Sequence, residues 1–186
     1  MNYVELSKEI AHALRHEPWK YELELDEEGW TPVSQLLSAL SEEQRWQGIC
    51  RGDLEAMIAS MDKRRYELSS ERIRALYGHS IPMRIRKERR TPPDVLYHGT
   101  ARRFLPAILG DGGAPGPGLT PQGRQYVHLS VDTEAAQTVG HRRDGRPALL
   151  VIDARRAHED GVPFYYGNEK VWLADAIVPE YISLLH

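Results

Sequence analysis

Leu6, Ile10 and Leu14 recur every four residues and line one face of a helix. Pro18 ends that helix and leaves Arg15 and His16 at its last turn. Leu23 and Leu25 then alternate with acids, which predicts a short strand. Thr31-Pro32 predicts the start of a second helix, because proline lacks an amide donor that the first turn leaves unused anyway. Val33, Leu36, Leu37 and Leu40 form its apolar stripe. Asp53 is the expected N-cap of a third helix carrying Leu54, Met57, Ile58 and Met61. Residues 65–68 and 72–76 read as paired strands. Helices followed by a hairpin predict a winged-helix-like lobe, a shape often set against nucleic acid.

The second half changes rhythm. Short strands are predicted at 95–97, 126–129, 148–152 and 171–173, with short helices at 104–109 and 133–139. Between them, residues 110–118 are rich in glycine and proline but have neither the GxxxxGK[ST] nor the GxGxxG spacing. A nucleotide bound here needs another fold. The expected class is α+β: a first lobe over 1–83, a basic linker over 84–94 that ends in Thr91-Pro92-Pro93, and a mixed α/β lobe over 95–186.

Composition narrows the function classes. The net charge of −3 excludes a polycation, so nucleic-acid binding would need local basic clusters. Such clusters occur at Lys63-Arg64-Arg65, at Arg72 and Arg74, and at Arg84, Arg86, Lys87, Arg89 and Arg90. Acids gather instead at 22–28 and 42–43, which predicts a dipolar surface. The single cysteine, Cys50, has no disulfide or zinc partner and is expected to be half-buried. Glu5, Lys8 and Glu9 sit where a signal peptide would need an apolar stretch, and no apolar run is long enough to span a bilayer. A cytoplasmic monomer without membrane contact is expected.

Several residues can carry chemistry. Arg15 offers a rigid fork of donors to a phosphate and His16 an exchangeable proton, although both could simply cap the helix end. Arg64 and Arg65 open a strand and should point to opposite faces. Arg124, Tyr126 and His128 share one strand face beside the glycine-rich loop, which suits an anionic ligand. His98-Gly99-Thr100 ends a strand where glycine admits a ligand to the backbone; an ordinary turn explains it as well. The histidine spacing fits no metal centre, and there is no nucleophile elbow, so no metal is expected.

The order of these pieces resembles the RNA 2′-phosphotransferase family. The resemblance runs from Leu14-Arg15-His16-Glu17-Pro18, Leu25-Asp26 and Gly29-Trp30 through Lys63-Arg64-Arg65-Tyr66-Glu67, Ile73-Arg74-Ala75 and Gly78-His79-Ser80. It continues in Leu96-Tyr97-His98-Gly99-Thr100, Gly118-Leu119, residues 124–130, Ile152-Asp153-Ala154, Val171-Trp172-Leu173 and Pro179-Glu180-Tyr181-Ile182. It implies a C-terminal ADP-ribosyltransferase-like α/β lobe beside the winged-helix-like one. The implied partner is RNA bearing an internal 2′-phosphate, tRNA-like, and the implied co-substrate is NAD⁺. The 2′-phosphate attacks the anomeric carbon of the nicotinamide ribose and expels nicotinamide. The ribose 2″-hydroxyl then attacks phosphorus, which frees 2′-hydroxyl RNA and yields ADP-ribose 1″,2″-cyclic phosphate.

By motif, the four essential residues are Arg15, His16, Arg65 and Arg124, and the NAD⁺ contacts are His98, Gly99, Thr100, His128 and Ser130. The resemblance implies that the four converge on one phosphate. Related transferases often carry a glutamate where this chain has Val171. A phosphate monoester is already largely dianionic at pH 7, with a second pKa of about 6, and needs no carboxylate base. The chain departs from the family pattern at Glu22, where glycine is usual, at Asn168-Glu169-Lys170, and at Leu76-Tyr77. Two other readings use the same residues: transfer of ADP-ribose to terminal phosphates of nucleic acid, and a non-catalytic RNA-binding module.

Overall fold

The computed structural model describes residues 1–185. The chain divides into two compact units, Met1–Arg86 and Lys87–His186.

In the first unit, helix α1 (Tyr3–Arg15) starts at Asn2, whose side-chain oxygen accepts from the amides of Val4 and Glu5 at 3.2 and 3.3 Å. Its apolar face, Leu6, Ile10 and Leu14, is fully buried, as the four-residue spacing predicts. A 3-10 turn, Pro18–Tyr21, follows and closes on Glu22 in the left-handed region. Thr31–Pro32 forms strand β1, and helix α2 (Val33–Ser41) begins one residue later. Helix α3 (Arg51–Ala59) leads into strands β2 (Tyr66–Leu68) and β3 (Arg72–Ala75). The small antiparallel sheet has the order β1-β3-β2.

Three expectations in this unit change. Leu23 and Leu25 form no strand. Both edges of β3 are already occupied, by β1 and β2, and the Asp26 side chain instead bonds the amides of Glu28 and Trp30 in a turn. The N-cap of α3 is Cys50, not Asp53. Asp53 stands three residues into the helix and its carboxylate accepts from the Cys50 amide at 2.9 Å. That edge position leaves Cys50 exposed rather than half-buried.

Charge segregation along the chain also fails to become segregation in space. Asp26 pairs with Arg72 at 3.3 Å, Glu27 with Arg86 at 3.5 Å and Glu28 with Arg74 at 3.6 Å. Chain reversal at the hairpin brings the acidic and basic runs side by side. These pairs are solvent-facing and each stabilises by less than about 1 kcal/mol.

The second unit is built on a six-stranded antiparallel sheet. Its strands are β4 (Val95–Thr100), β5 (Val127–Ser130), β6 (Ala148–Asp153), β7 (Phe164–Asn168), β8 (Val171–Ala174) and β9 (Ile182–Leu184). They lie in the order β7-β8-β5-β4-β6-β9. Helices α4 (Leu105–Leu109), α5 (Thr133–His141) and α6 (Ala154–Glu159) connect them. Leu96, Leu129, Leu150, Ile152, Phe164 and Ala174 form the core. The glycine-rich loop is tied down by close backbone approach. The Gly118 amide bonds the Ile108 carbonyl at 2.9 Å, and a Cβ on Gly118 would overlap the Ile177 main-chain oxygen.

The stretch before β4 is held as well. The amide of Arg90 bonds the Phe164 carbonyl at 3.1 Å and the amide of Tyr166 bonds the Glu88 carbonyl at 3.0 Å, so residues 88–90 run along β7. Among the described residues no helix is long and apolar enough to cross a membrane.

Candidate functional site

In the first unit, Arg15 closes α1 and its guanidinium lies against the rings of Tyr66 and Tyr77, at 5.5 and 5.3 Å. One terminal nitrogen donates to the main-chain oxygen of Arg65 at 3.4 Å. Its Nε is buried with no hydrogen-bond partner, and among the described residues no carboxylate pairs with it. Burial lowers its pKa from the ordinary guanidinium value, and the nearby Arg65 charge adds to that. A guanidinium keeps its proton under such pressure. The Arg15 side chain therefore does not cap the last carbonyls of its own helix. The sequence pattern explains its setting. Leu14 anchors the last turn in the core, and Gly78, with φ of +91°, lets the following loop pass close enough that a Cβ there would sit 3.4 Å from Nη1 of Arg15.

His16 follows directly, with Nδ1 2.8 Å from Ser80 Oγ, and the Ser80 amide is itself bonded to the Arg15 carbonyl at 2.9 Å. Arg65 is exposed and immediately precedes β2; its neighbour Arg64 approaches Glu67 at 3.8 Å. Arg15, His16 and Arg65 thus belong to one neighbourhood, with Tyr66, Tyr77 and Ser80 around them. The last three carry no signal as single residues; Tyr66 and Ser80 lie in motif runs, and Tyr77 in a departure from the pattern.

In the second unit, β4 and β5 share one ladder pair, Tyr97 with Ser130. No ladder pair joins 98–100 to 127–129 among the described residues, so the two central strands part there. The Nδ1 atom of His98 lies 2.9 Å from the main-chain oxygen of His128, and Nδ1 of His128 lies 2.9 Å from that of Tyr126. A carbonyl only accepts, so both Nδ1 atoms carry the proton, and in each neutral ring Nε2 is an acceptor. Burial lowers the pKa of His98, the Arg124 and Arg143 charges lower it further, and the bond to His128 opposes both.

Thr100 and Ser130 are buried near this opening. Ladder register and side-chain alternation put Gly99, His128 and Ser130 on one face, with His98 and Thr100 on the other. Gly99 has a reason unrelated to any ligand: a Cβ there would overlap the main-chain oxygen of Ala136 in α5 and stand 2.7 Å from its carbonyl carbon. Arg124 departs from the expected geometry. It lies in the turn before β5, its amide bonded to the Pro121 carbonyl at 3.2 Å, and so does not share the strand face of His128. The glycine and proline upstream bend the chain before the ladder begins.

Residues 1–176 match the family described as RNA 2′-phosphotransferase, Tpt1 / KptA family. The chain belongs to the RNA 2′-phosphotransferase family. Members of that family are enzymes that use NAD⁺ as co-substrate. A probable RNA 2′-phosphotransferase from Acetivibrio thermocellus is 57% identical over 182 residues, 98% of this chain and 97% of that protein. Another from Bacillus thuringiensis subsp. konkukian is 53% identical, covering 98% and 95%. A third, from Hahella chejuensis, is 41% identical, covering 96% and 92%.

Two of this chain's departures from the family pattern have visible consequences. Glu22, at the family's usual glycine, has φ of +50°, a conformation that glycine adopts without steric cost. Tyr77, where a polar residue is usual, supplies one of the two rings against Arg15.

Proposed function

We propose that this chain removes an internal 2′-phosphate from RNA by transferring it to NAD⁺. The products are RNA with a 2′-hydroxyl, nicotinamide and ADP-ribose 1″,2″-cyclic phosphate. NAD⁺ supplies an anomeric carbon with a good leaving group. A 2′-phosphate oxygen displaces that group; the ribose 2″-hydroxyl then attacks phosphorus and gives up its proton, the phosphorus–oxygen bond to the RNA breaks, and the departing 2′-oxygen takes up a proton.

The roles follow from residue chemistry. Arg15, Arg65 and Arg124 bind and neutralise the phosphate. His16, oriented through Ser80, gives the proton to the departing 2′-oxygen. His98 and His128 accept from ribose hydroxyls through Nε2, while Gly99, Thr100 and Ser130 contribute backbone and hydroxyl contacts to NAD⁺. The first unit serves as a winged-helix-like RNA lobe and the second as an ADP-ribosyltransferase-like lobe. The enzyme acts as a monomer in the cytoplasm on tRNA-like RNA.

One observation carries this reading: Arg15 keeps a desolvated guanidinium beside a second arginine with no carboxylate to neutralise it. A buried, unsatisfied donor of that kind is costly unless an anion completes it. The test mixes the protein with NAD⁺ and a short RNA carrying one internal 2′-phosphate. Dephosphorylated RNA and nicotinamide should appear in equal amounts. Nicotinamide release without loss of the 2′-phosphate would refute the second step, and RNA binding indifferent to NAD⁺ would refute the enzyme.

A further inference from the structure

The basic residues Arg72, Arg74 and Arg86 meet carboxylates in space. One corner of the second unit keeps its charge instead. The segment after β4, Arg102-Arg103-Phe104, lies against the loop that closes α5, residues 141–146. The amides of Arg102 and Arg146 donate to the two carboxylate oxygens of Asp144, at 3.0 and 2.9 Å. Nη1 of Arg103 donates to the Arg143 main-chain oxygen at 3.3 Å. The one acid of these segments, Asp144, thus ties them together, and its ion pair goes to Arg102 at 3.5 Å.

Four guanidinium groups of the corner stay unneutralised. Arg103, Arg142, Arg143 and Arg146 are exposed, and among the described residues none has a carboxylate partner. The side chains of Arg142, Arg143 and Arg146 make no hydrogen bond among them either, so they do not cap the last carbonyls of α5. Arginines of the same unit outside the corner behave differently: Arg155 pairs with Glu159 at 3.1 Å, and Arg156 with Glu180 at 3.7 Å. A local excess of this kind, in a chain of net charge −3, is the electrostatic footprint of a polyanion site. An aromatic ring is set within it. Phe104 is 37% exposed, and the Arg103 guanidinium lies over it at 4.7 Å.

The corner adjoins the end of β4 that carries His98-Gly99-Thr100. A Cβ on Gly140 would stand 2.5 Å from Pro147 Cβ and 3.3 Å from the Gly99 carbonyl carbon, so loop 141–146 leaves and returns beside that motif. Arg143 is near enough for its charge to add to the burial that lowers the His98 pKa.

We infer that this corner grips the phosphodiester backbone of the RNA substrate outside the reacting nucleotide. Guanidinium groups fit phosphate oxygens, and backbone contacts hold a strand without reading its sequence. The inference rests on the proposed action on RNA and adds to it a surface that holds the strand.

The test is equilibrium binding of an unmodified single-stranded 12-nucleotide RNA to the full chain, read by fluorescence anisotropy without NAD⁺ over a series of salt concentrations. R142Q/R146Q should weaken binding about 10-fold or more, as loss of charge-assisted contacts does. It should also flatten the log–log salt slope by about 1.4, the value for two phosphates on a single strand. R142K/R146K, which keeps both charges, should keep the slope. R155Q/R156Q removes the same charge from carboxylate-paired positions and should stay within about 3-fold of wild type. With 2′-phosphorylated substrates, R142Q/R146Q should raise the KM for a long RNA and leave the KM for NAD⁺ and for a dinucleotide unchanged. Equal losses from the two glutamine pairs would reduce the effect to overall charge and overturn the inference. Unchanged RNA binding with a raised KM for NAD⁺ would overturn it as well. So would binding by this corner of phosphatidylglycerol-containing vesicles in place of RNA. Failure of the wild type to turn over any 2′-phosphorylated RNA refutes the enzymatic reading instead, and the binding comparison still decides the corner.

Discussion

The His98 imidazole is fastened to the main-chain oxygen of His128 through Nδ1, at 2.9 Å, across the opening between two central strands. Burial lowers the pKa of His98 from its ordinary value of 6.5. The folded state therefore holds this ring neutral in a pH range where the unfolded chain protonates it. Between 6.5 and the lower folded value the unfolded state binds more protons, so stability falls as pH falls through that window and is restored above 6.5. Urea midpoints measured at pH 5 and 7.5 should differ more for the wild type than for His98→Asn. An equal difference in both proteins would remove His98 as the cause.

Gly99 illustrates how a motif glycine can serve packing. Because a Cβ there would overlap the Ala136 main-chain oxygen, Gly99→Ala must push α5 away from β4. Overpacking of this kind costs about 1–3 kcal/mol, and more where the obstacle is backbone. Thermal denaturation should show a clear loss of stability without any ligand. An unchanged midpoint with weakened NAD⁺ binding would instead make ligand approach the reason for this glycine.

Arg15 should tolerate no replacement. Arg15→Lys keeps a positive charge but loses the planar fork and the stacking on Tyr66 and Tyr77. Each lost charge-assisted contact to a phosphate costs about 1.5–3 kcal/mol, or roughly 10- to 100-fold in kcat/KM for the RNA. Arg64→Ala is the matched control, since Arg64 approaches Glu67 at the surface, and it should stay within about 3-fold of wild type by the weakness of exposed pairs. Equal losses from the two substitutions would undo the distinction between neighbouring arginines.

Glu22 occupies a left-handed conformation that disfavours side chains with a Cβ. Glu22→Gly should therefore stabilise the first unit by a few tenths to about 1 kcal/mol, the steric relief exceeding the entropy that glycine loses on folding. Thermal midpoints of the two proteins compared in one buffer give the answer, and a lower midpoint for the glycine variant would contradict it.

Apolar periodicity made the long elements legible. Leu6, Ile10 and Leu14 mark α1, and Val33, Leu36 and Leu40 mark α2, because one buried stripe per helix leaves a strong pattern. The remaining elements have weak patterns for physical reasons. Helix α6 buries only Ala154 and Ala157, too small to stand out between arginines. Strand β9 has no fully buried residue, and β7 is almost wholly buried and shows no alternation. The ordered motifs that hold Arg15-His16 and His98-Gly99-Thr100 are visible in the sequence itself. Side-chain partners distant in the chain are not. No local pattern ties Tyr77 or Ser80 to the end of α1, and the pairing of acids 26–28 with Arg72, Arg74 and Arg86 depends on a chain reversal that composition does not reveal.

The contact between Ser80 and His16 gives a test of the proton-transfer role proposed for His16. The Ser80 hydroxyl fixes Nδ1 of His16 at 2.8 Å, and its amide is anchored to the Arg15 carbonyl, so the imidazole's orientation is set by a residue that need not touch RNA. Removing one neutral hydrogen bond costs about 0.5–1.5 kcal/mol, or roughly 2- to 12-fold in rate when the lost order is that of a reacting group. Ser80→Ala should lower kcat by that factor with the KM for NAD⁺ unchanged. Ser80→Thr, which keeps the hydroxyl, should recover most of the loss. His16→Ala should slow the release of RNA from the ADP-ribosylated phosphate far more, and single-turnover analysis should show that adduct accumulating. If Ser80→Ala raised the KM for NAD⁺ while sparing kcat, the serine would belong to ligand binding rather than to the orientation of His16.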